Sequence, residues 1–304
     1  MTDHVAHQRE TASPIRTAGA RLGTWGATAM VVTETIGVGI FLTPATMLHT
    51  LQTPGRVFVL WAVMATLTLA GALCYAELST RYPRAGGMYV YLREAFGPRC
   101  AFVYGWMAML VVDPGITAAL GLGGAQYLLA VFGGSDTALV PVALAFILGF
   151  GVLTLIGVHA SGRILRWSAL AKLLAVALLG VAAMARGNGT IVMGPAMPLG
   201  IGAVAPAVVA AFFAFGGWWD LGRMSEEVAE PRRTMPVALI GGVALVAIVY
   251  TLTSIALLLA APAAGAPLSD AELVNVLGAR IFGADAARGL AAIVVIAVEA
   301  KGRP

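Results

Sequence analysis

The chain has 304 residues, 59% of them hydrophobic and only 11% charged, with a mean hydropathy of +0.88. Soluble domains carry about 45–50% apolar and about 25% charged residues, so an ordinary soluble fold is excluded and an all-α polytopic membrane protein is expected. The net charge is +4, but in so apolar a chain the basic residues mark topology and not a nucleic-acid surface; two cysteines build no disulfide framework, and four scattered histidines have no metal-ligand spacing.

Residues 1–23 are polar, with no apolar core before Thr24, and are expected to be a cytoplasmic N-terminal tail and not a cleavable signal peptide. Eight apolar segments follow, at 24–47, 56–79, 99–132, 138–158, 164–185, 201–222, 236–262 and 286–299. Most are long enough for a bilayer, which takes roughly 20 residues per helix. The first contains "VVTETIGVGIFLTPA", Val31 to Ala45, where Glu34, Gly37, Gly39 and Pro44 interrupt what should be a membrane helix. The third is too long for one upright span, so it should tilt or run past the bilayer. Between the second and third, Ser79 to Arg99 has turn signals and then Tyr89, Tyr91, Leu92 and Phe96 among charges. That pattern predicts an amphipathic helix lying in the interface.

Well inside the fifth segment lies a charge, Lys172. A lysine near the bilayer centre costs about 2.5–3.5 kcal/mol on insertion scales, so it should have a partner. The sixth runs through "FFAFGGWWDLGRMSEEVAEP" and breaks at Gly216-Gly217. Its tail, Asp220, Glu226, Glu227 and Glu230 interleaved with Arg223, Arg232 and Arg233, is expected to make salt-bridged loop contacts that gate the inner side. Pro267 to Gly283 should form a short external helix, with Ser269 as N-cap and Leu273, Val274 and Leu277 at helical spacing.

Fourteen of the 19 Lys and Arg residues fall in loops on the N-terminal side, among them Arg9, Arg16, Arg81, Arg84 and Arg223; four, Arg56, Arg186, Arg280 and Arg288, fall on the other. The N-terminus is therefore expected to be cytoplasmic. A single glycine pair in a membrane helix ordinarily serves close packing. Two interrupted segments in corresponding positions of two repeats are instead the best sequence pointer to a transporter site. Unwound backbone at that depth is tolerated only where it meets a cavity or ligand. Its N–H groups suit a carboxylate and its carbonyls an ammonium or cation. No nucleophile–base pair, metal cluster or phosphate loop appears, so neither an enzyme nor a cofactor is expected.

The motif "IGVGIFLTP" resembles the first-helix signature of the amino acid–polyamine–organocation transporters. Gly71 to Pro98 is similar to that family's second helix and following loop, and Phe212 to Pro236 to its sixth helix, with the L-type amino acid transporter branch as the nearest pattern. The resemblance implies a five-plus-five inverted-repeat fold with helices 1 and 6 interrupted. Residues 24–190 would be the first five-helix repeat and 191–304 a partial second repeat, helices 6 to 8, in about 8 transmembrane helices. It implies a sodium-independent secondary carrier of an amino acid or related amine in the plasma or inner membrane, proton-coupled or exchanging. The backbone of Ile36, Gly37, Val38 and Gly39, with Ile40 beside it, would receive the substrate carboxylate. The carbonyls of Phe213, Ala214 and Gly216 would receive the amino group, Phe213 would close over it, and Phe215, Gly217 and Trp218 would complete the site. Lys172 matches a lysine that stands in sodium-independent members where related carriers bind an ion. Glu34 departs from the pattern; it is expected to pair with Lys172 or to handle protons or cationic substrates. Because the chain stops inside the eighth segment, the alternative is a truncated, non-transporting fragment or subunit of such a carrier.

Overall fold

Backbone in hydrocarbon must satisfy its N–H and C=O groups internally, and helices do this within one segment. The computed structural model describes residues 22–37, 40, 43–132, 134–155, 167, 169–174, 176–177, 180–181 and 200–260, and every regular element among them is helical. These are α1 (Thr24–Thr35), α2 (Pro44–Leu51), α3 (Pro54–Arg81), α4 (Met88–Phe96), α5 (Pro98–Met107), α6 (Asp113–Phe132), α7 (Leu139–Leu155), α8 (Ile201–Ala214) and α9 (Pro231–Ala260). A π-helical turn, Ala108–Val112, joins α5 to α6, and 3₁₀ segments cover Asp136–Ala138 and Trp218–Glu227. Residues 169–174, around Lys172, are also helical. Among the described residues, Pro54–Arg81, Pro98–Gln126, Gly202–Glu227 and Pro231–Ile255 are long and apolar enough to cross a membrane. The chain is an integral membrane protein, helical throughout the regular elements of its described residues. The N-terminal tail, the 267–283 helix and the 286–299 segment lie outside the described residues.

Both interruptions expected in the first and sixth segments are present. The first segment leaves its helix after Thr35, with Ile40 helical again and α2 starting at Pro44; the sixth ends at Ala214 and continues after a turn as 3₁₀ helix. The long third segment is one continuous run from Pro98 to Phe132. At 1.5 Å per residue it reaches about 50 Å, more than the roughly 30 Å of hydrocarbon. Its π-turn has a local cause. Pro114 has no N–H, and its ring would collide with the Leu110 carbonyl. The ladder widens there, and the Asp113 N–H donates to Ala108 O. The helix expected between the second and third segments is α4, with Val90 and Tyr91 buried and Arg93 and Phe96 exposed.

One boundary differs from the hydropathy reading. α9 starts at Pro231, ahead of the apolar run from 236, so Arg232 and Arg233 occupy its first turn and not a loop. First-turn N–H groups have no intrahelical acceptor and Pro suits that turn, so a polar start costs little. Here Glu230 O accepts from the N–H groups of Arg233 (2.9 Å) and Thr234 (3.0 Å).

α9 packs against both α1 and α3, α2 lies on α8, and α6 pairs with α7. One buried cluster gathers Val32, Ile36, Ile40, Trp61, Phe215 and Tyr250; a second gathers Met30, Val31, Trp218, Leu221, Val228 and Leu239. Glycine sets the closest approach. A Cβ on Gly242 would lie 2.6 Å from Val31 Cγ1, so α9 touches α1 only because that methyl is missing. Near one end of the bundle, Leu22 N–H donates to Glu227 O and Ala229 N–H to Leu22 O, both at 2.8 Å. Gly87, at φ +50°, lets its loop approach Arg223 N, to which a Cβ would come within 3.1 Å.

Gly242→Ala should therefore lower stability by about 1–3 kcal/mol through overpacking. Gly241→Ala, whose added Cβ meets nothing within 4 Å, should stay within about 1 kcal/mol of the parent. Thermal unfolding of both variants in detergent compares the two.

Candidate functional site

The last four carbonyls of any α-helix lack an intrahelical donor. In α1 most of them find one nearby. Val32 O accepts from Ile36 N–H at 2.8 Å. Thr33 O accepts from the Lys172 ammonium at 2.8 Å. Thr35 O accepts from Gly37 N–H at 2.9 Å and from the Tyr250 hydroxyl at 2.9 Å. Ile36, at φ −75° and ψ 86°, has already left the helix. Val38 and Gly39 lie outside the described residues, while Ile40 is fully buried.

Glu34 and Lys172 are both buried, at 5% and 2% exposure. Glu34 sits in the last turn of α1, where a carboxylate adds to the negative end of the helix dipole, an arrangement worth about 0.3–1 kcal/mol of repulsion. The Lys172 ammonium, on the carbonyl of the preceding residue, brings positive charge to that end. Its depth and burial rule out a side chain reaching for solvent.

The second break is built from glycine. Phe215 N–H donates to Ala211 O at 3.2 Å and Gly216 N–H to Phe213 O at 3.1 Å, closing α8. Gly217 then takes φ +107°, which a side chain would strain. A Cβ on Gly216 would lie 3.2 Å from Phe213 O and 3.3 Å from the Trp219 ring. Asp220 N–H donates back to Gly217 O at 3.0 Å as the 3₁₀ segment begins.

One residue spans the two breaks. The fully buried Tyr250 hydroxyl lies 2.9 Å from Thr35 O and 3.1 Å from Ala214 O, so its single hydrogen serves either carbonyl. Its ring is fixed by Trp61 (centroids 5.6 Å apart) and Phe215 (5.4 Å), which themselves stand 5.5 Å apart. The core cluster around this trio includes Ile36, Ile40 and Ala214, and also Ala169 and Val176, which flank Lys172. Of the expected site residues, Ile36, Ile40, Ala214 and Phe215 are thus brought together with the Lys172 helix. Phe213 is half-buried beside them. The Trp218 ring turns into the second cluster, against Gly71 and 5.0 Å from Tyr75; only its backbone flanks the break. Tyr250 and Trp61 went unnoticed in the sequence, although a tyrosine in a membrane run needs an acceptor for its hydroxyl. Chemically, the C-terminal ends of α1 and α8 offer carbonyls to a cation, and the start of α2 offers N–H groups to an anion.

A family model described as "Amino acid permease" matches residues 22–299. The chain is 32% identical over 235 residues to the b(0,+)-type amino acid transporter 1 of Oryctolagus cuniculus, covering 74% of this chain and 48% of the relative. It is 29% identical over 240 residues to the serine/threonine exchanger of Bacillus subtilis, 78% of this chain and 54% of that one. It is 31% identical over 245 residues to the cystine/glutamate transporter of Homo sapiens, 75% of this chain and 47% of that one. The chain spans about half the length of these relatives.

Tyr250→Phe keeps the ring and removes the shared donor. It should lower stability by about 1–3 kcal/mol, the range for a buried polar group left unsatisfied, as measured by unfolding in detergent. An unchanged midpoint would mean that the bridge holds nothing.

Proposed function

The chain belongs to the amino acid permease family, whose relatives are transporters and not enzymes, and from that premise we propose that it carries the substrate site of a secondary carrier for an amino acid or related amine. The observation that carries this reading is the pair of helix breaks joined by one buried hydroxyl, that of Tyr250. Alternating access needs a site whose two broken helices respond together, and a shared hydrogen bond couples them.

In this reading the fold is a five-plus-five inverted repeat, with 24–190 the first repeat and 191–304 part of the second. The breaks then occupy corresponding positions. The backbone of Ile36, Gly37, Val38 and Gly39, with Ile40 beside it, holds the substrate carboxylate, and the carbonyls of Phe213, Ala214 and Gly216 hold its ammonium. Phe213, half-buried at the break, covers the substrate. Gly217 and Trp218 shape the turn beneath it, and Phe215 anchors that turn to the aromatic trio.

Lys172 acts as a built-in cation on the end of α1, which would make transport independent of sodium. Glu34 balances that charge, and the two together are the candidates for proton coupling. The serine/threonine exchanger among the relatives supports exchange as the mode. The N-terminal side faces the cytoplasm and the surrounding lipid is the plasma or inner membrane, as the loop charges suggest.

Titrating the purified chain with amino acids and polyamines while following thermal unfolding tests this. A ligand that binds only the folded state adds about 2.7 kcal/mol at 100 times its Kd. Stabilisation by at least one amino acid is expected, equal in sodium and in choline buffer. No stabilisation by any of them contradicts the reading; stabilisation that requires sodium contradicts the role given to Lys172.

A further inference from the structure

Asp113 is an anomaly in the apolar Pro98–Gln126 stretch. A carboxylate in so apolar a run calls for a named partner. That partner is Arg223, whose Nη2 lies 3.3 Å from Asp113 Oδ1. The same guanidinium places Nε 3.2 Å from Oδ1 of Asp220, three residues before it on the 3₁₀ segment. One cation therefore serves two carboxylates, one on its own segment and one on α6.

The surroundings of the two halves differ. The π-turn forced by Pro114 adds a residue to the ladder just before Asp113 and so re-aims α6 relative to α5. On the other side, the 3₁₀ segment is bound at both ends. Gly86 N–H donates to Arg223 O at 3.1 Å, and Leu22 is hydrogen-bonded to Glu227 and Ala229. Trp218 wedges against Gly71. The three charged side chains remain partly exposed, at 40% for Arg223, 49% for Asp113 and 29% for Asp220, so the contact is weak enough to open repeatedly.

We propose that Asp113, Arg223 and Asp220 form a partner-exchange latch on the second half of the broken sixth helix. With Arg223 on Asp113, the 3₁₀ segment is held against α6 and the path below Gly216-Gly217 is closed. With Arg223 on Asp220 alone, the contact of the segment with α6 is released while its two ends stay tethered. The guanidinium stays compensated in both arrangements, so neither state strands a charge. That the latch closes the inner side rests on the carrier reading above; the exchange of partners does not.

The test uses spin labels at Leu122→Cys on α6 and Glu226→Cys on the 3₁₀ segment, both exposed positions, in the full chain with Cys74 and Cys100 replaced by serine. Distances are read without substrate. Asp113→Asn should enlarge the long-distance population roughly two- to fivefold, the range an exposed pair supports. Asp220→Asn should shrink it by a similar factor, because Arg223 then has Asp113 as its carboxylate. The exchange Asp113→Arg with Arg223→Asp should return the distribution toward the parent. Shifts in the same direction for the two asparagine variants, no shift in either, or a charge exchange that behaves like Asp113→Asn would each overturn the latch. Failure of every amino acid to bind would remove the carrier reading and leave these distances to decide the latch alone.

Discussion

Two helices that stop inside a membrane leave carbonyls with no water to accept from. Every other feature of the site follows from how those carbonyls are satisfied. At the end of α1 the donors are a lysine ammonium and a tyrosine hydroxyl, both arriving from distant parts of the chain. At the end of α8 the same hydroxyl is in reach again. Because Tyr250 has one hydrogen for two carbonyls, the two breaks compete for it, and a ligand that supplies a donor to one frees the hydroxyl for the other. An ammonium group is such a donor. In the proposed reading, the same shortage that would make the breaks costly in an empty site would favour a cationic group there.

The packing around the breaks serves that arrangement. Tyr250 can bridge only if α9 lies close to both α1 and α8. Gly242 permits the first approach by leaving room for Val31, and the Trp61–Phe215–Tyr250 trio secures the second, with Trp61 edge to face on both other rings and those two tilted against each other. Lys172 and Glu34 fit the same logic. A buried ion is tolerated when hydrogen-bond acceptors and favourable dipoles surround it, and the end of α1 supplies Lys172 with a carbonyl and the negative end of the helix dipole. Beyond the second break, the 3₁₀ segment is tethered to Leu22 and to the Gly86–Gly87 turn. Movement there would thus be shared by the start of α1 and the loop before α4.

Local chemistry was readable from the chain alone. The breaks announce themselves as glycines, a proline and a carboxylate inside apolar runs, and Lys172 as a charge that needs a partner. Even the π-turn has a local cause in Pro114. What stayed hidden depends on contacts between residues far apart in sequence. Tyr250 is the one aromatic of a long apolar helix; that its hydroxyl meets residues 215 and 36 positions away is a property of the fold. Asp113 was passed over because hydropathy averaged it into a long apolar segment, while Arg223 was assigned to loop contacts. The polar first turn of α9 was missed for the reverse reason, since apolar counting starts a helix only where its apolar residues begin.

The central claim is that both breaks contribute backbone to one ligand site. Amide hydrogen exchange on the purified chain, with and without the amino acid that stabilises it best, addresses this most directly. The account predicts that the ligand slows exchange at residues 36–43 and at 213–217 together, with the same concentration dependence. Protection confined to one of these stretches, or to neither while the ligand still binds, would contradict it.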